Sequence, residues 1–187
     1  MKVEKLVVGL YQENCYFIIK NNKCLIVDPG DEIDKILSKI KQENLELIAI
    51  LITHAHFDHV GALSDLLDIY KVPIYYNNVN NEIKYEKLIN IKEEKYSIDS
   101  FSFKVIFTSG HRNDLVTYYF YNDGIMFTGD FLFKLSIGRT DLEYASYDEM
   151  LKSIEKIKKY NNNIVIYPGH GDKSTLGFEK ENNVFLN

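Results

Sequence analysis

The segment THAHFDHVG, Thr53 to Gly61, sets three histidines and an aspartate within six positions: His54, His56, Asp58 and His59. The chain has only five histidines in all. Imidazoles and carboxylates crowded together near a buried strand repel on protonation and lose hydration, unless a cation joins them. An isolated histidine is ordinarily a packing or surface residue; His-x-His-x-Asp-His is better read as a metal site. Neutral imidazole with carboxylate suits zinc, iron or manganese, and the absence of thiolate ligands argues against a purely structural zinc.

The other candidates occupy similar places. His111 follows FKVIFTSG, His170 follows NIVIYPG, Asp28 ends LIVDPG and Asp130 ends IMFTGD. Each lies just past the C-terminal end of an expected strand, where loops on an α/β scaffold converge to bind ligands. His54 and His56, two apart in an extended loop, can point the same way toward one ion, and Asp58 and His59, beyond a turn, can face a second. These ligands exceed the needs of one tetrahedral ion. Two ions roughly 3.5–4 Å apart, with a carboxylate between them, would clamp attacking and leaving oxygens and supply hydroxide near neutral pH.

The elements that hold these positions are read from periodicity. Residues 3–9, 15–20 and 23–28 are expected strands, with KNNK turning the second into the third. An i, i+3, i+4, i+7 stripe of Ile33, Ile36, Leu37 and Ile40 makes 32–43 an amphipathic helix. LIAILIT is a continuous apolar run of a strand buried on both faces. Val60 to Tyr70 has helical spacing, VPIYY is a strand, and 79–90 is a polar, weakly helical segment. From 96 to 130 the pattern is β, with YNDG as a hairpin turn. Ser146 to Glu149 is a capping box opening a helix that presents Met150, Leu151, Ile154 and Ile157. NIVIYPGHG carries the last strand. Strands leading in each half, then a helix and a crossing strand, indicate an α/β sandwich of two similar halves with mixed sheets and helices outside.

Composition bounds the rest. At 187 residues, 45% hydrophobic and 26% charged, the chain is expected to be one globular domain over 1–187. No stretch is apolar enough to span a bilayer and no signal peptide is read, so a cytoplasmic location is expected. Cys15 and Cys24 sit in apolar contexts and are expected as buried free thiols. A net charge of −5 and a pI near 5.6 argue against nucleic acid and leave a small-molecule substrate as the expected partner. Of 22 basic residues only Arg112 and Arg139 are arginine, marking two places where a forked, permanent cation is needed.

THAHFDHVG, SGH, TGD and YPGHG, in that order along essentially the whole chain, resemble the metallo-β-lactamase superfamily. NCYFI, VDPG, IGRTDL and the tail GHGDKSTLGFEKENNVFL are most similar to its small glyoxalase II-like hydrolases, which lack the C-terminal glutathione-binding domain. The resemblance implies an αβ/βα four-layer sandwich and a binuclear site: His54, His56 and His111 on the first metal, Asp58, His59 and His170 on the second, Asp130 between them. Zinc is the expected metal, with iron or manganese as alternatives. In glyoxalase II a lysine and a tyrosine contact glutathione; Arg139 and Asp141 stand in their places here. RNDL, Arg112 to Leu115, replaces the family's Thr-Pro-Gly-Ser-like turn.

The expected activity is hydrolysis of a small ester or thioester, with Asp58 steering a proton and Arg139 anchoring a substrate carboxylate. A mononuclear iron persulfide dioxygenase of the same superfamily is the alternative, and a non-catalytic metal-binding module is a third. A β-lactamase is not expected without an export signal, nor a nuclease without a basic face.

Overall fold

The β-branched and apolar residues Val3, Leu6, Val7 and Val8 at the start of the chain favour β1 (Lys2–Val8), which pairs antiparallel with β2 (Glu13–Lys20). β2 turns through Asn21 and Asn22, both at positive φ, into antiparallel β3 (Lys23–Val27). Asparagine tolerates that conformation, so KNNK is a turn as expected. The computed structural model describes residues 1–187 and falls into two compact units, Met1–Ile91 and Lys92–Asn187.

In the first unit, α1 (Ile33–Gln42) crosses from β3 to β4 (Glu46–Leu51), which pairs in parallel with β3. α2 (Phe57–Val60) and α3 (Leu63–Tyr70) lead on to β5 (Ile74–Tyr76), and β6 (Leu88–Asn90) ends the unit. The six strands form one mixed sheet in chain order, β1 to β6. β4 has parallel neighbours on both sides, which accounts for its unbroken apolar run. Ile36 and Ile40 of α1 and Leu63, Leu66 and Leu67 of α3 pack with Phe17, Ile26 and Ile50 of the sheet in one core. Each such side chain contributes roughly 1.5–3 kcal/mol when fully buried.

Two expectations need correction in this unit. The helix expected over 60–70 is broken at Gly61 and Ala62, because the chain there passes against the 28–30 loop: a Cβ on Gly61 would lie 2.3 Å from the Gly30 carbonyl oxygen. The segment 79–90 contains no helix. The Asn78 side chain bonds both the N–H and the carbonyl of Ile83, at 3.3 and 2.8 Å, and its own N–H donates to Asn90. Those local bonds compete with the helical ladder.

In the second unit, β7 (Lys95–Ile98), β8 (Phe101–Phe107), β9 (Val116–Phe120) and β10 (Ile125–Gly129) form an antiparallel meander. A two-stranded arm, β11 (Leu132–Phe133) with β12 (Ser136–Ile137), precedes α4 (Tyr147–Ile157). Ser146 caps α4 by accepting the Glu149 N–H, but the expected box closes only halfway: the Ser146 N–H donates to the Gly110 carbonyl and Glu149 pairs with Lys152. β13 (Val165–Pro168) pairs in parallel with β10, then β14 (Ser174–Thr175) and α5 (Leu176–Asn182) follow. The order is β14-β13-β10-β9-β8-β7, a second mixed sheet. Met150, Ile154 and Ile157 of α4 pack with Ile106, Met126 and Ile166. The architecture is α/β. No helix is long and apolar enough to cross a membrane.

Candidate metal centre

In the first unit the site begins with two parallel strands ending side by side. β3 and β4 pair through Val27 and Leu51, so Asp28 and Thr53 emerge as neighbours. Asp28 sits at φ 51, a conformation rare for a non-glycine residue, and its carboxylate is buried. It collects three donors. Thr53 N–H reaches Oδ1 at 2.7 Å, Thr53 Oγ1–H reaches Oδ2 at 2.6 Å, and His59 Nδ1–H reaches Oδ2 at 3.0 Å.

These bonds fix which ring nitrogen of each histidine can bind a cation. The Thr53 hydroxyl spends its proton on Asp28, so at 3.1 Å it accepts from His54 Nδ1–H. His54 Nε2 is then left with a lone pair, and it lies 3.0 Å from His56 Nδ1. Two ligand nitrogens about 2.0–2.1 Å from one tetrahedral ion would be roughly 3.3 Å apart. His59, fixed through Nδ1–H, likewise presents Nε2. The His54 ring centroid is 4.7 Å from that of His56 and 4.1 Å from that of His59. His54 and His59 are buried, and Asp58 in the first turn of α2 is partly buried. Gly30 makes the arrangement possible, since a Cβ there would lie 1.9 Å from the Asp58 carbonyl oxygen.

The second unit assembles its ligands the same way. β8, β10 and β13 run in one direction, and His111, Asp130 and His170 follow their C-terminal ends. His111 Nδ1–H donates to the Arg139 carbonyl at 2.9 Å, leaving Nε2 with its lone pair. Asp130 Oδ2 lies 3.6 Å from His111 Nε2 and 3.6 Å from His170 Nε2. Both separations are too long for a hydrogen bond. They suit a carboxylate and two imidazoles gathered as ligand atoms rather than bonded to one another. Gly138 permits the packing, as a Cβ would meet the Asp130 carbonyl oxygen at 1.8 Å and His111 Cβ at 3.0 Å. The donor set in each unit therefore fits divalent ions.

Both arginines are engaged. Buried Arg112 donates from Nε to buried Asp114 at 2.9 Å, and its guanidinium carbon lies 5.3 Å from the centre of the Tyr144 ring. That pair pins the RNDL turn behind His111. Arg139 is exposed and forks onto Asp141 at 2.7 and 2.8 Å, holding the Asp141 carboxyl at about 2. Its guanidinium is thus turned onto its own loop, and the carbonyl is the part that reaches a ligand. Thr53 and Asp114 were not singled out from sequence as site residues. Nothing in a threonine or an aspartate, taken alone, marks it as the partner of a ligand loop.

The family model described as the metallo-beta-lactamase superfamily matches residues 8–170. A probable metallo-hydrolase YqgX of Bacillus subtilis (strain 168) is 35% identical, over 100% of this chain and 98% of that protein. Hydroxyacylglutathione hydrolase GloC of Haemophilus influenzae is 32% identical, over 100% and 99%. Among solved structures, the BLEG-1 B3 metallo-beta-lactamase superposes with a TM-score of 0.91 at 31% identity, covering 99% of each chain.

Proposed function

Because the chain belongs to the metallo-beta-lactamase superfamily and has its fold, we propose that it is a binuclear metal-dependent hydrolase of small esters or thioesters, akin to hydroxyacylglutathione hydrolase. His54, His56 and His111 hold the first ion, Asp58, His59 and His170 the second, and Asp130 serves both. Zinc is the preferred metal, ahead of iron or manganese. Such a pair of ions supplies an acidified water and polarises a carbonyl oxygen.

The chain does the rest. Asp28, through Thr53 and His59, and the Arg139 carbonyl, through His111, keep three imidazoles in the tautomer that ligates. Asp58 would take a proton from the attacking water and pass it to the departing thiolate or alkoxide. The Arg139–Asp141 pair is exposed to solvent, which screens it, so it is readily exchanged. A substrate carboxylate can therefore replace Asp141 on the guanidinium.

His59 is the observation that carries two ions rather than one. It is wholly buried and its Nδ1–H is tied to a carboxylate. A single ion held by the first set would leave this prepared ligand without a purpose. A cavity of about 300 Å³ bordered by Leu10, Tyr11, Phe57 and Asp58 supports an apolar acyl group on the substrate. Leu10, Tyr11 and Phe57 are 96, 63 and 65% exposed beside it.

The test is a hydrolysis panel on protein of measured metal content, comprising S-lactoylglutathione, simpler thioesters of rising acyl length, an ester and a β-lactam. Thioester turnover with two ions per chain is expected. One iron per chain with oxygen uptake on a persulfide would point instead to dioxygenase chemistry, and turnover of the β-lactam alone would replace the thioester reading.

A further inference from the structure

Glu13 opens β2 and is almost completely buried. Its side chain reaches the loop that follows β3, beside Gly30. Its Oε2 lies where a Gly30 side chain would begin, 2.6 Å from a Cβ built there, and the same Cβ would strike the Asp58 carbonyl. Its other oxygen, Oε1, is 4.0 Å from His59 Nδ1. Glu13, Asp28 and His59 thus form a buried cluster whose polar atoms lie within 4.8 Å of one another.

The cluster could be mistaken for another cation site. The hydrogen bonds argue otherwise: the His59 nitrogen on this side carries the proton given to Asp28, so it has no lone pair to offer. Asp28 already accepts from Thr53 with both oxygens. The cluster lies behind the ligand, on the side away from Nε2.

We infer that Glu13 is a positioning residue for His59, a second carboxylate behind the imidazole whose negative charge strengthens Nε2 as a ligand while Asp28 orients the ring. The inference rests on the two-ion reading above. Burying a second acid costs free energy, and a cation on the far nitrogen of His59 would offset part of that cost.

Metal-stripped wild-type protein and the isosteric variant Glu13→Gln are titrated with zinc and with cobalt, by calorimetry and by the cobalt absorption band. Outer contacts of this kind are typically worth 10–100-fold in metal affinity. The variant is expected to bind its first ion within threefold of wild type and its second at least tenfold more weakly, with the Tm of the metal-free protein nearly unchanged. The His59 Nδ1–H proton resonance should move as well. Glu13→Asp, which keeps the acid but shortens its reach, should fall between the two. Equal affinity for both ions in wild type and Glu13→Gln overturns the inference alone. Uptake of a single ion by wild type overturns the two-ion reading and this inference with it. Failure of both variants to fold would mean a structural role only, and would also overturn it.

Discussion

The backbone carbonyl of Arg139 accepts the Nδ1–H of His111 at 2.9 Å, while the guanidinium of the same residue is turned onto Asp141. One residue therefore serves two ends that mutation can separate. The carbonyl belongs to the backbone and survives any side-chain change; the fork does not.

Arg139→Ala should accordingly leave metal uptake as in wild type, since His111 keeps its acceptor. For an ester bearing a carboxylate, KM should rise about 10-fold, the loss of one charge-assisted contact, with kcat changed less than twofold. Steady-state kinetics on matched charged and neutral esters checks this. An equal change in KM for both esters would remove Arg139 from substrate recognition.

Asp130→Asn keeps the shape of the side chain and removes its charge. With Oδ2 midway between His111 and His170, it should lower metal content from two ions toward one. Turnover should fall on the order of 100-fold or more, beyond what outer contacts alone are worth. Elemental analysis and thioester hydrolysis on one preparation decide it; full metal and full activity would end the binuclear reading.

Arg112→Gln strands Asp114, which is fully buried, without its cation. Breaking a buried pair from one side costs about 3–5 kcal/mol, so the urea midpoint should drop sharply. Arg112→Lys keeps the charge but loses the planar fork that meets Asp114 and Tyr144, and should cost less. A loss under about 1 kcal/mol for the glutamine variant would show that the RNDL turn does not depend on the pair.

Much of the site was legible because its ligands follow apolar strands whose lengths and directions the pattern reveals. His54, His56, His111, Asp130 and His170 could all be placed at strand ends, KNNK and YNDG turn the chain as expected, and Ser146 caps α4. What stayed hidden depends on contacts distant in sequence. Asp28 lies 31 residues from His59, and nothing in VDPG says which donors its carboxylate will collect. Glu13, in a strand, reads as a solvated charge until the fold brings its carboxylate against Gly30. The 79–90 segment is polar with only a weak helical tendency, and Asn78 offered its backbone other partners. The arginines were rightly marked as unusual, yet direction is not written in composition: Arg112 turned inward to Asp114 and Arg139 turned back to Asp141.

The three donors that meet on Asp28 have an implication for inheritance. A lineage that altered Asp28 would lose at one stroke the Thr53 turn, the proton placement on His54 and the hold on His59. Positions 28, 53 and 59 are thus one decision made at three places, and drift should be permitted around them long before it is permitted within them.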